Sequence, residues 1–145
     1  MSGRITDSSS NYYTIDELPA QIENPLDGID GVQISKNFDA SAEIDKLKVK
    51  FQQKDEWSTR LDAIQRIMSL IKGGVFSHAD FEFTEIAPYI ANCVTDLRST
   101  LVKWGSMCVS AAAQALGFDF HPYVDIFIPS FFKQTTHGTA IISQS

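Results

Sequence analysis

The sequence is short of the residues that announce a chemistry. Among its 145 residues there are three histidines, His78, His121 and His137, and they are too scattered to have metal-ligand spacing. There is no HExxH, Gly-rich phosphate loop, nucleophile elbow or CxxC pair. Nothing in the chain therefore calls for an enzyme, a cofactor or a bound metal. Cysteine is scarce too. Cys93 and Cys108 both lie in apolar helical patterns, where a free Cys behaves as a small hydrophobe. A disulfide or a metal role is the alternative. No Asn-x-Ser/Thr site occurs, and the first residues are polar, unlike a secretory signal. No apolar run approaches the roughly 20 residues of a membrane span. These absences point to a reducing, cytoplasmic setting with no membrane partner.

Positive charge is also in short supply. Twelve Lys and Arg stand against eighteen Asp and Glu, for a net charge of −6. That balance argues against general nucleic-acid binding, which needs a basic surface. The acidity is concentrated. Residues 1–40 hold seven acids and two bases, a net of −5, whereas residues 41–145 hold eleven and ten, a net of −1. The first 40 residues are rich in Ser, Asp, Asn, Gly and Pro, with turn compositions such as "NPLDGIDG". They read as an acidic, flexible arm. Its Tyr12, Tyr13, Ile15 and Leu18 offer an alternative, a short motif that docks on a partner or on the domain itself.

Helical periodicity begins at residue 41. Ser41 is a candidate N-cap, and Ile44, Leu47 and Phe51 recur on one face. "KDEW" breaks that pattern. Residues 58–72 carry Leu61, Ile64, Ile67, Met68 and Ile71 on one face, and "KGG" closes them with Lys in the last turn and Gly beyond. A third helix is expected over about 81–94, where Pro88 marks a kink or a late start. Ser99 is placed to cap a fourth, about 99–116, closed by Gly117; its small-residue run "SAAAQA" suggests close helix packing. A fifth covers about 121–134, with Pro122 in the first turn and a bend at Pro129. "TTHGT" then reads as a break, and "AIISQS" as the start of a sixth helix. "VDIFIPSFF" alternates partly as a strand would, but Pro129 argues against a central strand. The expected fold is all-α.

The polar breaks at Asp55, Asp96 and about Thr136 recur at about 40 residues, the period of HEAT and armadillo arrays. The expected architecture over 41–145 is therefore an α-solenoid of about two and a half helical hairpins. Turns within the hairpins fall on one edge of such a stack. "KDEW", "TDLRS" and "TTHGT" should thus form one strip.

Each residue of the strip has two readings. Trp57 is either a core anchor folded under its turn or an exposed aromatic contact of the kind found in hot spots. Arg98 either bridges to a neighbouring repeat, with Asp96 capping the helix, or meets an acidic partner. Lys103 is near the edge or simply solvated, and Trp104 is expected to pack between repeats. Lys133 suits a helix C-terminus, or makes polar contacts together with Thr135, Thr136, His137 and Thr139. A partly cationic edge of this kind suits a large acidic protein surface better than a small substrate.

At these residues the sequence resembles TOG domains, the tubulin-binding HEAT-type domains of microtubule regulators, and among them the CLASP family. The resemblance runs from about Asp55 to Ser145. It is carried by "EWSTRLDAIQRIMSLIKGG", with its tryptophan-arginine opening, by "VTDLRSTLVKWGSMCVSAAAQALG", and by "IFIPSFFKQTTHGTAIISQS". "DLRS" and "ALG" are its more specific pieces. Trp104 and Gly105 depart from the usual polar residue and alanine, and TOG domains usually have more hairpins. The resemblance implies that the turn edge grips the tubulin heterodimer or microtubule. Trp57 would pack on tubulin, Asp96, Leu97, Arg98 and Ser99 would supply the second turn, and Lys133, Thr135 and Thr136 the third. The implied role is microtubule organisation in the cytoskeleton. The alternative is a HEAT scaffold that binds another protein, or self-associates through the apolar face left at the solenoid end; another copy, another chain or residues 1–40 would cover that face.

Overall fold

The computed structural model describes residues 24–144, with side chains as far as Lys133. Five α-helices occur among them: α1 (Ala40–Phe51), α2 (Trp57–Lys72), α3 (Ala87–Val94), α4 (Ser99–Leu116) and α5 (His121–Gln144). No strand is present among the described residues. The fold is an all-α, HEAT-like solenoid fragment. α1 and α2 form one hairpin, α3 and α4 the next, and α5 stacks on α3. α2 packs on α4, so the second helices of the hairpins make one layer and the first helices the other.

The apolar periodicity becomes the core directly. Ile44, Leu47 and Phe51 of α1 meet Ile64, Ile67, Met68 and Ile71 of α2, and all are buried. On α4, Leu101, Cys108, Ala111 and Ala112 are buried against α2 and α3, where the small side chains let the backbones approach. No polar or charged residue is fully buried among the described residues. Trp104 is half-buried against the core, as its position between repeats suggests. Cys93 and Cys108 are buried free thiols. Burial pushes the Cys93 thiol up to about 11 and that of Cys108 higher still, so neither forms a nucleophilic thiolate at neutral pH.

The helix ends differ from the sequence reading in three places, and at a fourth, Pro88, one of two expectations holds. Asp39, not Ser41, caps α1: its carboxylate accepts the Ala42 N–H at 3.0 Å, and Ser41 lies inside the first turn. Pro88 produces a late start rather than a kink. A 3₁₀ turn at Phe83–Glu85 precedes α3, and Pro88 sits in its first turn, where the missing N–H costs nothing. Ser99 opens α4 but makes no side-chain cap bond. The break expected at "TTHGT" is absent, because α5 runs through Pro129 and on to Gln144. One glycine and a few threonines each cost a helix only up to about 1 kcal/mol, which the rest of the helix can outweigh. "AIISQS" is thus the end of α5, not a sixth helix.

The edge opposite the hairpin turns is built from aromatics. Phe83 meets Phe76 edge-on at 5.2 Å and Tyr123 edge-on at 5.0 Å, and Phe120 stacks on Phe127 at 5.9 Å. These rings tie the connections between hairpins to the start of α5.

Residues 24–39, the last part of the expected arm, lie along this side of the domain; residues 1–23 lie outside the described residues. Leu26, Ile29, Val32, Ile34 and Phe38 pack against the core. Val32 N–H donates to Ser69 O at 3.0 Å, and Lys72 Nζ donates to the carbonyls of Leu26 and Ile29. The Val32 carbonyl presses on Gly73 where any other residue would carry its Cβ. Gly73→Ala should unseat this strap at a cost of about 2 kcal/mol, as overpacking does. Hydrogen exchange at the Val32 amide should accelerate and the melting temperature should fall, with helical circular dichroism unchanged.

Candidate functional site

The hairpin turns converge on one edge through an ion pair between repeats. Arg60 stands one helical turn above Trp57 on α2. Its Nη1 donates to Asp96 Oδ2 at 2.8 Å, and the two side chains are only 15% and 19% exposed. The other oxygen of Asp96 accepts the Arg98 N–H at 2.8 Å, which fixes the turn before α4. Burial pushes the Asp96 carboxyl up, but the Arg98 N–H and the Arg60 guanidinium outweigh it and hold the pKa below the ordinary 3.8.

The rest of the second turn follows from that anchor. Arg98 extends back over the first hairpin, its guanidinium 5.0 Å from the centroid of the Trp57 ring. Trp57 is half-buried and rests on the core beneath it. It is a packed anchor, as the first of its two readings has it, with Arg98 over its ring. Arg98 likewise bridges two repeats, but through an aromatic ring rather than an acid. Leu97 has nowhere to go between two such committed neighbours and is 90% exposed. Ser99 is exposed beside it.

Trp57, Asp96, Leu97, Arg98 and Ser99 are therefore brought together. The third group is not part of a turn. Lys133 is exposed on the surface of α5, within the helix, and the side chains of Thr135 and Thr136 lie outside the described residues. Arg60 was missing from the expected set. Its signal in the sequence is the spacing of three from Trp57, which puts both on one side of a helix.

A second ion pair holds the first hairpin. Arg66 donates from Nε and Nη2 to the two oxygens of Glu43 at 3.0 and 2.9 Å. The Arg66 hydrogen bond holds the Glu43 carboxyl below its ordinary 4.5. No group of three potential metal ligands occurs among the described residues. No helix there is long and apolar enough to cross a membrane.

Residues 41–145 match the family model described as CLASP N terminal. The chain belongs to the CLASP N-terminal family. A CLIP-associated protein of Arabidopsis thaliana is 21% identical over 168 aligned residues, which cover 98% of this chain and 12% of that protein. An uncharacterized protein of Dictyostelium discoideum is 29% identical over 105 residues, 70% of this chain and 13% of the relative. The chain thus spans about an eighth of the length of these two relatives. The strap at 24–39 precedes the segment that matches the family model.

The depressed carboxyls give a sign to the pH dependence. A folded-state pKa below the unfolded value adds stability above the unfolded value, and that stability is lost as pH falls through the folded one. Asp96 and Glu43 should therefore hold the melting temperature level above about pH 5 and lower it progressively below about pH 4. Asp96→Asn should cost about 2 kcal/mol at neutral pH and shrink the acid-induced fall, read by thermal denaturation across pH.

Proposed function

We propose that the turn edge is a protein-docking surface for the tubulin heterodimer, and that the chain acts in microtubule organisation. The observation that carries this reading is Leu97. A leucine 90% exposed at the tip of a turn, between an Asp and an Arg both engaged within the domain, is an apolar contact held out on a rigid base. Membership of the CLASP N-terminal family and the CLIP-associated relative support tubulin as the partner. The chemistry has no catalytic component: the edge offers an apolar tip, a stacked Trp–Arg pair and an exposed Ser. Micromolar binding to purified tubulin is expected in size-exclusion chromatography at low salt. Leu97→Asp should weaken it at least tenfold, roughly the loss of a hot-spot side chain, without loss of helicity because Leu97 packs on little. Folded wild-type protein that does not bind would overturn the proposal.

A second reading is a scaffold that self-associates through the exposed apolar side chains of α5. It is favoured by α5, where Ile128 is 57% and Phe132 74% exposed. Self-association predicts a mass that rises with concentration in light scattering, and Ile128→Glu should abolish the rise; a constant monomer mass rejects it.

A further inference from the structure

A notch of about 340 Å³ opens between the two hairpin turns, beside Leu97 and Trp57 but containing neither. Phe51 and Lys54 wall it on the α1 side, Arg60 on α2, and Tyr89, Asn92 and Asp96 on the second hairpin. Its polar groups are unbalanced. The single acid is engaged through both oxygens, with Asp96 Oδ2 on Arg60 and Oδ1 on the Arg98 N–H. The donors are not. Arg60 Nε–H is buried and has no acceptor among the described residues. Tyr89 Oη accepts from Gln52 Nε2 at 3.1 Å, which leaves the phenolic proton to give. The Lys54 ammonium is exposed and pairs with no acid among the described residues. Phe51, stacked on Tyr89 at 5.5 Å, supplies an apolar wall that strengthens any charge interaction beside it.

A site with surplus donors, net positive charge and its one acid already paired favours a group that only accepts and carries negative charge; Asn92, the remaining polar side chain of the lining, can donate to such a group through its amide N–H. The geometry points to a carboxylate side chain of the protein partner, an Asp or Glu, entering this notch. Lys54 Nζ and the Tyr89 hydroxyl hold the carboxylate at the rim, and the Arg60 guanidinium supplies fixed positive charge behind it. Leu97 and the notch then make two different contacts, one apolar and one ionic, a few residues apart on the same edge. This inference rests on reading the edge as a docking surface and adds the chemistry that the partner must present there.

Two measurements on the full chain test it. In the first, Lys54→Glu is titrated with purified tubulin beside wild type and Leu97→Asp; Lys54 is exposed, so the fold is undisturbed. Affinity should drop roughly tenfold for Lys54→Glu, with a smaller drop for Lys54→Met. Wild-type affinity for Lys54→Glu, with loss for Leu97→Asp, would overturn the notch and leave the docking edge standing. In the second, hexaglutamate, hexalysine and inorganic phosphate are titrated separately while the Arg60 Nε–H signal is followed by NMR. A saturable shift with hexaglutamate and none with hexalysine is expected, and Lys54→Glu should remove it. No shift, or a saturable shift with phosphate alone, overturns the carboxylate assignment. This second measurement decides the notch even where wild-type protein fails to bind tubulin, so the two proposals fail separately.

Discussion

The turn edge depends on one ion pair. Arg60 reaches from the first hairpin to Asp96 of the second, at 2.8 Å and largely out of solvent. Half-buried charges are costly to leave unpaired, so the pair fixes how the hairpins meet as much as it stabilises them. Everything on the edge is referred to it. Asp96, held by Arg60, holds in turn the Arg98 N–H; Arg98, placed by that bond, covers Trp57; and Trp57 rests on the core from which Arg60 rises. The four residues form a closed circuit across two repeats, built from one ion pair, one backbone hydrogen bond and one cation–π contact.

The opposite edge is held by different physics. There the connections are 3₁₀ turns and an extended strap, closed mainly by rings and aliphatic side chains, with Lys72 on the strap carbonyls and Lys48 on Glu85 as the charged contacts. The division makes sense for a solenoid, whose repeats contact only their neighbours. Stacking of the helical layers sets the spacing of repeats, whereas the two edges set their relative rotation. The polar edge fixes one side through directed bonds, and the aromatic edge fills the other.

The periodicity of 3.6 placed the helices well because each helix buries one continuous apolar stripe. α4 begins and ends where Ser99 and Leu116 suggest, since a polar turn and Gly117, with its positive φ of 57°, bound it. Weak signals failed. Asp39 outranks Ser41 as a cap only because of where the chain enters the helix, and "TTHGT" reads as a break by composition but is helical in backbone. The strap was read as part of an acidic arm because its apolar residues, Leu26, Ile29, Val32, Ile34 and Phe38, follow no single period. They fit a surface that exists only once α2 and its following turn have folded. Of the site, the second turn was legible as a strip, and Trp57 with it. The Arg60–Asp96 bond was not, because it joins residues 36 apart whose proximity comes from stacking.

The exposure of Leu97 follows from the same circuit. An isolated turn would let Leu97 fold back on the apolar surface nearby. Here Asp96 and Arg98 are both anchored, so the backbone between them has no freedom to turn the side chain inward. The ordering entropy of the turn is met during folding, by the contacts between repeats, and not at the moment of binding. A partner that meets this edge therefore finds its apolar contact already in place. Loosening Arg60 would return to Leu97 the conformations that the ion pair removes.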